Sequence, residues 1–324
     1  MRSRILGTGK AVPSRVLTNA DLEKTVQTSD AWIVERTGIR ERRILEEGRT
    51  TSDLAADAGR AALAAAETEP SALDAIIVCT VTPDMPLPAC AVTVQQKLGA
   101  TCAAFDMAAA CAGFVYGLAV GDALVRTGAY RRVLVVGVEV LSRHVDWTDR
   151  NTCVLFGDGA GAVVLGPSEG ERGVLSTHLF ADGAQAPLLT IPGGGTAHPP
   201  TADTLERRLH SVKMNGRGVF AHAVRNIARA SLVAIEANGV RPEDVTWVVA
   251  HQANLRILEG VAEKTRLPLS KFYLNIARYG NTSSASIPIA LDEAVRDGTI
   301  KPGDLLLMSA LGAGFSWGSA LVRW

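Results

Sequence analysis

Short runs of apolar residues recur along the chain, each bounded by polar or turn-forming residues. Continuous apolar runs of this length are typical of strands that are buried on both faces of a sheet. They lie at residues 73–79, 133–141, 244–250 and 304–308. The stretches between them space their apolar residues as helices do. The clearest of these lie at residues 51–66, 114–125 and 287–295. This alternation predicts an α/β protein with largely parallel sheets that are covered by helices.

The second half of the chain repeats the order of the first half. Arg296-Asp-Gly298 repeats Arg126-Thr-Gly128 at an offset of 170 residues (298 − 128), about half of the chain, which indicates an internal duplication. We therefore predict two βαβ-rich halves that pack as a layered pseudo-dimer. The N-terminal half would span residues 1–168 and the C-terminal half residues 169–324, with the polar segment 166–173 as the joint.

Two local patterns predict the structure near the start of the chain. Gly7-Thr-Gly9 follows a short apolar run, and without a following helix and an acidic ribose ligand it indicates a tight turn better than a nucleotide site. Asn19 precedes the first polar and apolar alternation and is a plausible N-cap.

Length, charge and cysteine content exclude several classes of protein. With 324 residues the chain exceeds the usual size of one hydrophobic core. Lys+Arg and Asp+Glu balance at 33 each, so no overall field attracts nucleic acid or a membrane surface. The five cysteines show no CxxC spacing, which argues against a disulfide framework or a zinc site and favours the cytosol. No apolar run approaches the roughly 20 residues that span a bilayer.

Cys111 is the strongest candidate for a nucleophile. It lies among small residues where an extended run changes into a helical pattern, and a helix start favours thiolate over thiol. The alternative is a buried cysteine that acts as a small hydrophobe. In the register of the duplication, Cys111 lies opposite Gly280–Asn281, and the end of the strand at 73–79 lies opposite His251. Both halves therefore direct these junctions at one interface, where a Cys, a His and an Asn suit acyl chemistry.

Three further stretches carry residues that suit a ligand. Residues 29–43 cluster arginines around Trp32, as in a solvated helix end or in a site where guanidinium groups bind phosphates. Residues 311–318 offer a bare backbone that can approach a ligand. Residues 156–161 are rich in glycine but lack the ending of a Walker loop, so close packing or a dimer contact is favoured.

Several motifs, in order along nearly the whole chain, resemble the thiolase-fold condensing enzymes, and most of all bacterial β-ketoacyl-acyl carrier protein synthase III. They are Trp32-Ile-Val-Glu-Arg-Thr-Gly-Ile-Arg-Glu-Arg, Ala110-Cys111-Ala-Gly-Phe, Phe156-Gly-Asp-Gly-Ala-Gly-Ala, His251-Gln-Ala-Asn-Leu-Arg, Gly280-Asn281-Thr-Ser and Gly314-Phe-Ser-Trp-Gly-Ser-Ala. The resemblance implies a five-layer α-β-α-β-α fold, with Cys111 in the first half and His251 and Asn281 in the second.

The resemblance also implies a reaction and a role for each residue. Cys111 would take an acyl group from acyl-CoA, and His251 and Asn281 would assist decarboxylation of malonyl-acyl carrier protein. The N–H groups of Cys111 and Ala313 would form the oxyanion hole. The remaining residues would contact the substrates: Trp32, Arg36, Arg150, Gly216, Phe220 and Asn254 would bind CoA, and Arg256 with Lys264 would bind the carrier protein. No metal and no cofactor besides the acyl-CoA substrate are expected.

The resemblance further implies a cytoplasmic homodimer whose acyl pocket is formed in part by a loop from the partner. Leu87 and Leu311 stand where relatives often have phenylalanine, which predicts acceptance of primers longer than acetyl. Three other functions stay open. They are a starter-unit enzyme or acyltransferase of a polyketide or other secondary pathway, a non-catalytic partner subunit, and a cysteine hydrolase.

Overall fold

The computed structural model describes residues 2–324. The strands are β1 (Arg2–Ala11), β2 (Arg15–Thr18), β3 (Glu41–Ile44), β4 (Ala75–Cys79), β5 (Ala103–Met107), β6 (Val133–Glu139), β7 (Gly159–Ser168), β8 (Gly173–Ala181), β9 (Leu189–Thr190), β10 (Lys213–Met214), β11 (Trp247–Ala250), β12 (Leu305–Gly312) and β13 (Ser316–Arg323). The helices are α1 (Asn19–Glu23), α2 (Asp30–Thr37), α3 (Thr51–Ala65), α4 (Cys90–Leu98), α5 (Gly113–Arg126), α6 (Arg150–Cys153), α7 (Ala202–Glu206), α8 (Gly216–Ala237), α9 (Leu255–Thr265), α10 (Ile276–Tyr279) and α11 (Ser286–Arg296). Among these residues, no helix is long and apolar enough to cross a bilayer.

Two mixed sheets form the frame of the molecule. The first has the strand order β1-β7-β6-β4-β5 and the second the order β11-β12-β13-β8. Only β4 with β5, β4 with β6, and β11 with β12 pair in parallel among the strands of these sheets. The other four pairs are antiparallel. The prediction of largely parallel sheets is therefore wrong. Strands joined by short hairpins, such as β12 and β13, pair in antiparallel fashion and need no crossover helix.

The two sheets repeat one topology. The order β1-β7-β6-β4 corresponds strand for strand to β8-β13-β12-β11, with the same parallel and antiparallel pairs. Phe272 makes a parallel bridge to Val248 and occupies the place that β5 has in the first sheet. The predicted duplication is confirmed.

The register of the duplication needs a correction near the site. Helices α5 and α11 each follow a 3₁₀ turn whose first residue has a left-handed backbone, Ala110 (φ 45) and Ser283 (φ 51). Cys111 therefore corresponds to Ser284, and its predicted equivalence to Gly280–Asn281 is wrong. The offset falls from 173 at the helix starts (286 − 113) to 170 at Gly298 because α5 has 14 residues and α11 has 11.

The fold has five layers. Val133 and Val135 of β6 face a central core with α5 and α11, whereas Leu134, Val136 and Val138 face α3 and α4 on the outside. In β12, the residues Leu306, Met308 and Ala310 face the same central core, and Leu305, Leu307 and Leu311 face α8 and α9. This alternation is the period of a strand that is covered on both faces. The expected α-β-α-β-α fold is confirmed.

The chain passes from the first sheet to the second between the end of β7 and the start of β8, within the predicted joint. Both sheets contribute side chains to the central core, so the two halves share their largest apolar contact. The division into units at residues 1–168 and 169–324 stays a prediction.

Two local predictions at the start of the chain are wrong. Gly7 and Gly9 lie inside β1 and not in a turn, because α3 crosses the strand at this point. A β-carbon on Gly7 would lie 2.6 Å from the carbonyl oxygen of Ala62. Thr18, and not Asn19, is the N-cap of α1, since its hydroxyl accepts from the N–H of Asp21.

We expect Gly9→Ala to lower the free energy of unfolding by about 3 kcal/mol, because the new methyl group would overlap the α3 backbone at Ala58 and Ala62. Chemical denaturation measures this change. Gly195→Ala is the matched control, since a β-carbon there meets nothing within 4 Å, and it should change the stability by less than about 0.5 kcal/mol. Equal effects of the two variants would contradict the packing argument.

Candidate active site

One cavity of about 710 Å³ contains the three predicted reactive side chains, Cys111, His251 and Asn281. Cys111 comes from the first half of the chain, and the other two come from the second half. All three are buried, and Leu311 lines the cavity beside them. The cavity therefore lies where the two duplicated halves meet.

Cys111 is held on a tight connection between β5 and α5. It is the middle residue of the 3₁₀ turn Ala110–Ala112, and the left-handed backbone of Ala110 makes the turn sharp. The end of β12 approaches this turn closely. A β-carbon on Gly312 would lie 2.5 Å from the carbonyl oxygen of Ala109 and 2.7 Å from the backbone nitrogen of Cys111. Only glycine allows this approach of β12 to the Cys111 backbone, and Ala313 is the next residue along the chain.

Burial raises the pKa of the Cys111 thiol to about 12, and hydrogen bonding from Ser283 opposes this only in part. Burial thus opposes the helix start, which favours the thiolate. The desolvation cost of an anion in this cavity acts against the dipole of α5.

We expect the rate of Cys111 alkylation by iodoacetamide to rise about tenfold per pH unit from pH 7 to pH 10 without a plateau. The raised pKa leaves the thiol protonated throughout this range, so the thiolate fraction keeps growing. Mass spectrometry of the protein without acyl-CoA measures the rate, and Cys111→Ser supplies the background of the other four cysteines. A plateau below pH 8 would show that the site stabilises the thiolate.

His251 directly follows β11 and is held by its backbone, because its N–H donates to the carbonyl oxygen of Ser309 at 2.9 Å. Burial lowers the pKa of the imidazole to about 3, so the ring is neutral near pH 7. Its Nδ1 is buried without a hydrogen-bond partner among the described residues. The tautomer with the proton on Nε2 can therefore donate one hydrogen bond into the cavity.

Asn281 is fixed by three hydrogen bonds to its own segment and to the first half. Its N–H donates to the carbonyl oxygen of Leu155 at 2.9 Å, and its carbonyl oxygen accepts from the N–H of Gly157 at 3.0 Å. Its side-chain Oδ1 accepts from the N–H of Ser283 at 2.9 Å. Since this bond occupies the amide oxygen, the NH₂ group is what Asn281 offers to a ligand.

The mouth of the cavity carries an aromatic ring between cations. Trp32 and Arg36 lie on α2, and both line the cavity. The guanidinium carbons of Arg36 and Arg150 lie 4.9 and 4.8 Å from the centre of the Trp32 ring. Arg150 does not line the cavity itself and reaches it only through this stack. The arrangement suits a flat ring with phosphates attached.

The opposite wall of the cavity is formed by the starts of α8 and α9. Gly216, Phe220 and Asn254, which the resemblance predicts to bind CoA, all line it. A β-carbon on Gly216 would contact only the end of Met214, so this part of the wall is open. Arg217 also lines the cavity, and the sequence analysis missed it. Its place beside Gly216 in a Gly-Arg-Gly helix start is the signal that could have found it.

Arg256 lines the main cavity and also a smaller one of about 390 Å³ beside it, where Lys264 lies. Glu259 and Glu263 line the smaller cavity too, so its charge is mixed. The predicted carrier-protein pair is thus together on α9 but not on a purely basic surface.

Of the three remaining predicted residues, only Leu311 lines the cavity. Ala313 lies in the turn from β12 to β13. Leu87 is 83% exposed on the loop after β4, away from this cavity. An apolar side chain so exposed is available to another surface.

The glycine-rich segment 156–161 serves packing. A β-carbon on Gly161 would lie 2.6 Å from the backbone nitrogen of Ile289, so β7 and α11 touch at their backbones. Phe156 makes a bridge to Asn281 and supports the site. Within residues 2–324, no group of three or more His, Cys, Asp or Glu side chains is placed to hold a metal.

A five-layer duplicated fold whose halves share a cavity with Cys, His and Asn defines a thiolase-fold condensing enzyme, an acyltransferase. Residues 105–190 match the family described as 3-oxoacyl-[acyl-carrier-protein (ACP)] synthase III, and residues 235–324 match its C-terminal part. The chain belongs to the 3-oxoacyl-[acyl-carrier-protein] synthase III family, as its motifs predicted.

Relatives match over the full length. The β-ketoacyl-[acyl-carrier-protein] synthase III of Roseiflexus castenholzii is 53% identical over 99% of this chain and 97% of its own. The crystal structure of the 3-oxoacyl-[acyl-carrier-protein] synthase III of Aquifex aeolicus has 47% identity and a TM-score of 0.92, covering 99% of this chain and 100% of that one. The priming β-ketosynthase of the R1128 polyketide pathway has 34% identity and a TM-score of 0.92, covering 99% and 95%.

Proposed function

We propose that this enzyme condenses an acyl-CoA primer with malonyl-acyl carrier protein and so initiates fatty-acid synthesis. The observation that carries the proposal is the single cavity that brings Cys111, His251 and Asn281 together at the end of a cleft lined by Trp32 and Arg36. A nucleophile, two neutral donors and a cationic mouth are what this sequence of two acyl transfers requires.

In the first step, the Cys111 sulfur loses its proton and attacks the thioester carbon of acyl-CoA. The tetrahedral oxyanion accepts hydrogen bonds from the N–H groups of Cys111 and Ala313, which the close approach of Gly312 supports. The intermediate collapses to acyl-Cys111, and CoA leaves as its thiol with the proton. Because burial raises the pKa of the thiol, we propose that deprotonation accompanies acyl transfer.

In the second step, malonyl-acyl carrier protein loses CO₂ and leaves an enolate. His251 and Asn281 donate hydrogen bonds to its thioester oxygen, where the negative charge develops, and a neutral imidazole suits this role. The enolate carbon attacks the acyl-Cys111 carbon. Cys111 leaves and takes up a proton, and the product is a β-ketoacyl chain that is two carbons longer. No cofactor besides the acyl-CoA substrate is needed.

The cleft accommodates the rest of CoA. The adenine ring would stack on Trp32, with Arg36 and Arg150 beside the nucleotide phosphates, since both guanidinium groups already lie against the indole. Gly216, Phe220 and Asn254 would line the path of the pantetheine arm. The acidic carrier protein would contact Arg256 and Lys264.

Intact-protein mass spectrometry after incubation with a series of acyl-CoAs tests the proposal. An acyl adduct on the wild-type protein, absent from Cys111→Ser, is the expected result. Addition of malonyl-acyl carrier protein should discharge the adduct and release CO₂. No adduct from any acyl-CoA would instead favour a non-catalytic partner subunit, and an adduct that water removes would favour a hydrolase.

The primer range depends on a second copy of the chain. We propose a homodimer, because Leu87 and Met85 expose an apolar loop tip and because β5 is an edge strand with Phe105 and Met107 only half-buried. The five unpaired cysteines support a location in the cytoplasm. With leucine at position 87, we expect turnover of primers longer than acetyl. Steady-state kinetics with acyl-CoAs of increasing length test the primer range, and turnover of acetyl-CoA alone would contradict it. Light scattering tests the dimer, and the mass of a single chain would contradict it.

A starter-unit enzyme of a secondary pathway is the second candidate, and it rests on the similarity to the priming β-ketosynthase. The identity to that protein is 34%, against 53% to the relative from Roseiflexus castenholzii. The same acyl-CoA series separates the two functions, since a starter enzyme would prefer an unusual primer over common short ones.

A further inference from the structure

Glu139 is a buried carboxyl group that the proposed reaction does not use. It is the last residue of β6, in the middle of the first sheet, and its side chain is fully buried. Its hydrogen-bond partners within residues 2–324 are hydroxyl and backbone N–H groups, and none is a cation. A buried carboxyl group without a counter-ion is costly, so a protein that keeps one needs its contacts.

One side of the carboxyl group holds the segment that leaves β4. Glu139 accepts from the Thr82 hydroxyl at 2.6 Å, the Thr80 hydroxyl at 3.3 Å and the Val81 N–H at 3.2 Å. The two threonine oxygens accept from backbone N–H groups, Thr80 from Thr82 and Thr82 from Val140. Their hydroxyl protons are thereby directed at Glu139.

The other side of the carboxyl group contacts the active site through Ser283. The Ser283 hydroxyl donates to Glu139 at 3.3 Å, across 144 residues of chain. The N–H of the same serine donates to Oδ1 of Asn281 at 2.9 Å, and its left-handed backbone makes the turn that carries both groups. A shift of Ser283 would therefore rotate the Asn281 amide.

We infer that Glu139 is a positioning residue for decarboxylation: it anchors Ser283, and Ser283 holds the Asn281 amide with its NH₂ group toward the cavity. This inference rests on the proposed function, since it assigns an effect to one of its two half-reactions. Glutamine at position 139 has the same shape but offers an NH₂ group where the partners are donors. It would release Ser283 without opening a cavity.

Two half-reactions distinguish this role from a general effect on the fold. For Glu139→Gln, we expect CO₂ release from malonyl-acyl carrier protein to slow about tenfold relative to Cys111 acylation. The KM for acyl-CoA should stay within about twofold. Ser283→Ala removes the same link from the other end, and because its hydroxyl also hydrogen-bonds the Cys111 thiol, it should slow acylation as well. The double variant should release CO₂ no more slowly than Ser283→Ala alone.

Asp122→Asn is the matched control. Asp122 is a buried carboxylate at the far end of α5 that accepts from the Ser3 hydroxyl at 2.7 Å, and its replacement should leave the ratio of the half-reactions unchanged. Additive losses in the double variant, or a Glu139→Gln protein that loses stability but keeps the ratio, would overturn the inference. If the wild-type protein is neither acylated nor able to release CO₂, the proposed function fails, and the inference fails with it.

Discussion

Replacement of His251 by alanine is expected to slow CO₂ release from malonyl-acyl carrier protein by at least about 100-fold while Cys111 still accepts an acyl group. Removal of one preorganised donor to a developing oxyanion has an effect of this size. Burial holds the imidazole neutral, with its pKa lowered to about 3, so its N–H donates to the developing negative charge from a fixed, buried position. Asn281 would remain as the second donor.

The measurement separates the two half-reactions of one protein. The acyl adduct on Cys111 is followed by intact mass, and CO₂ release is followed with radiolabelled malonyl-acyl carrier protein. His198→Ala is the matched control, since this histidine is exposed and lies outside the cavity. Loss of the acyl adduct in His251→Ala would mean that His251 serves the first step and would contradict the assigned role.

The apolar runs predicted the central strands of both sheets well, because each of these strands is buried on both faces. The strand β6 shows why: alternate residues face two different cores, so every position is apolar except the last one. That exception is Glu139, and a carboxyl group inside the apolar run 133–141 was a signal the sequence analysis missed. Its partner Ser283 is 144 residues away, and no local pattern reveals such a contact.

The prediction of a turn at Gly7 and Gly9, which lie inside β1, failed for a related reason. Local propensity favours a turn at Gly7-Thr-Gly9, but the glycines are there because the backbone of α3 lies against them. Propensity describes the neighbours of a residue in the chain and not its neighbours in space. The predicted register of the duplication failed likewise, since the longer α5 shifts the equivalence by three residues only near Cys111.

The meeting of Cys111, His251 and Asn281 could be predicted because duplication is a long-range constraint that a sequence does record. His251 directly follows an apolar run, and Cys111 and Asn281 each precede a helical pattern. Symmetry brings the ends of those elements to one interface. The pKa of Cys111 could not be predicted in this way. It depends on how completely the folded walls bury the sulfur, which is a property of the three-dimensional cavity.

Gly312→Ala is expected to reduce kcat about 100-fold because it displaces the backbone at the end of β12. The added methyl group would lie 2.5 Å from the Ala109 carbonyl oxygen and 2.7 Å from the Cys111 nitrogen, so the end of β12 must move away from the turn. A displacement below 1 Å at this place separates the two N–H groups of the proposed oxyanion hole. Thermal unfolding and the two half-reactions would be measured on the same preparation.

Gly312→Ala and His251→Ala should affect different steps of the reaction. Both half-reactions form a tetrahedral oxyanion on the carbon that is bonded to Cys111, so Gly312→Ala should slow acylation and condensation together, whereas His251→Ala should spare acylation. Gly183→Ala is the matched control. Gly183 follows Asp182, whose backbone pairs with that of Phe315 in the turn from β12 to β13, and a β-carbon on Gly183 meets nothing within 4 Å. If Gly312→Ala slowed only condensation, the backbone of β12 would have no part in the oxyanion hole, and the first step would need another donor.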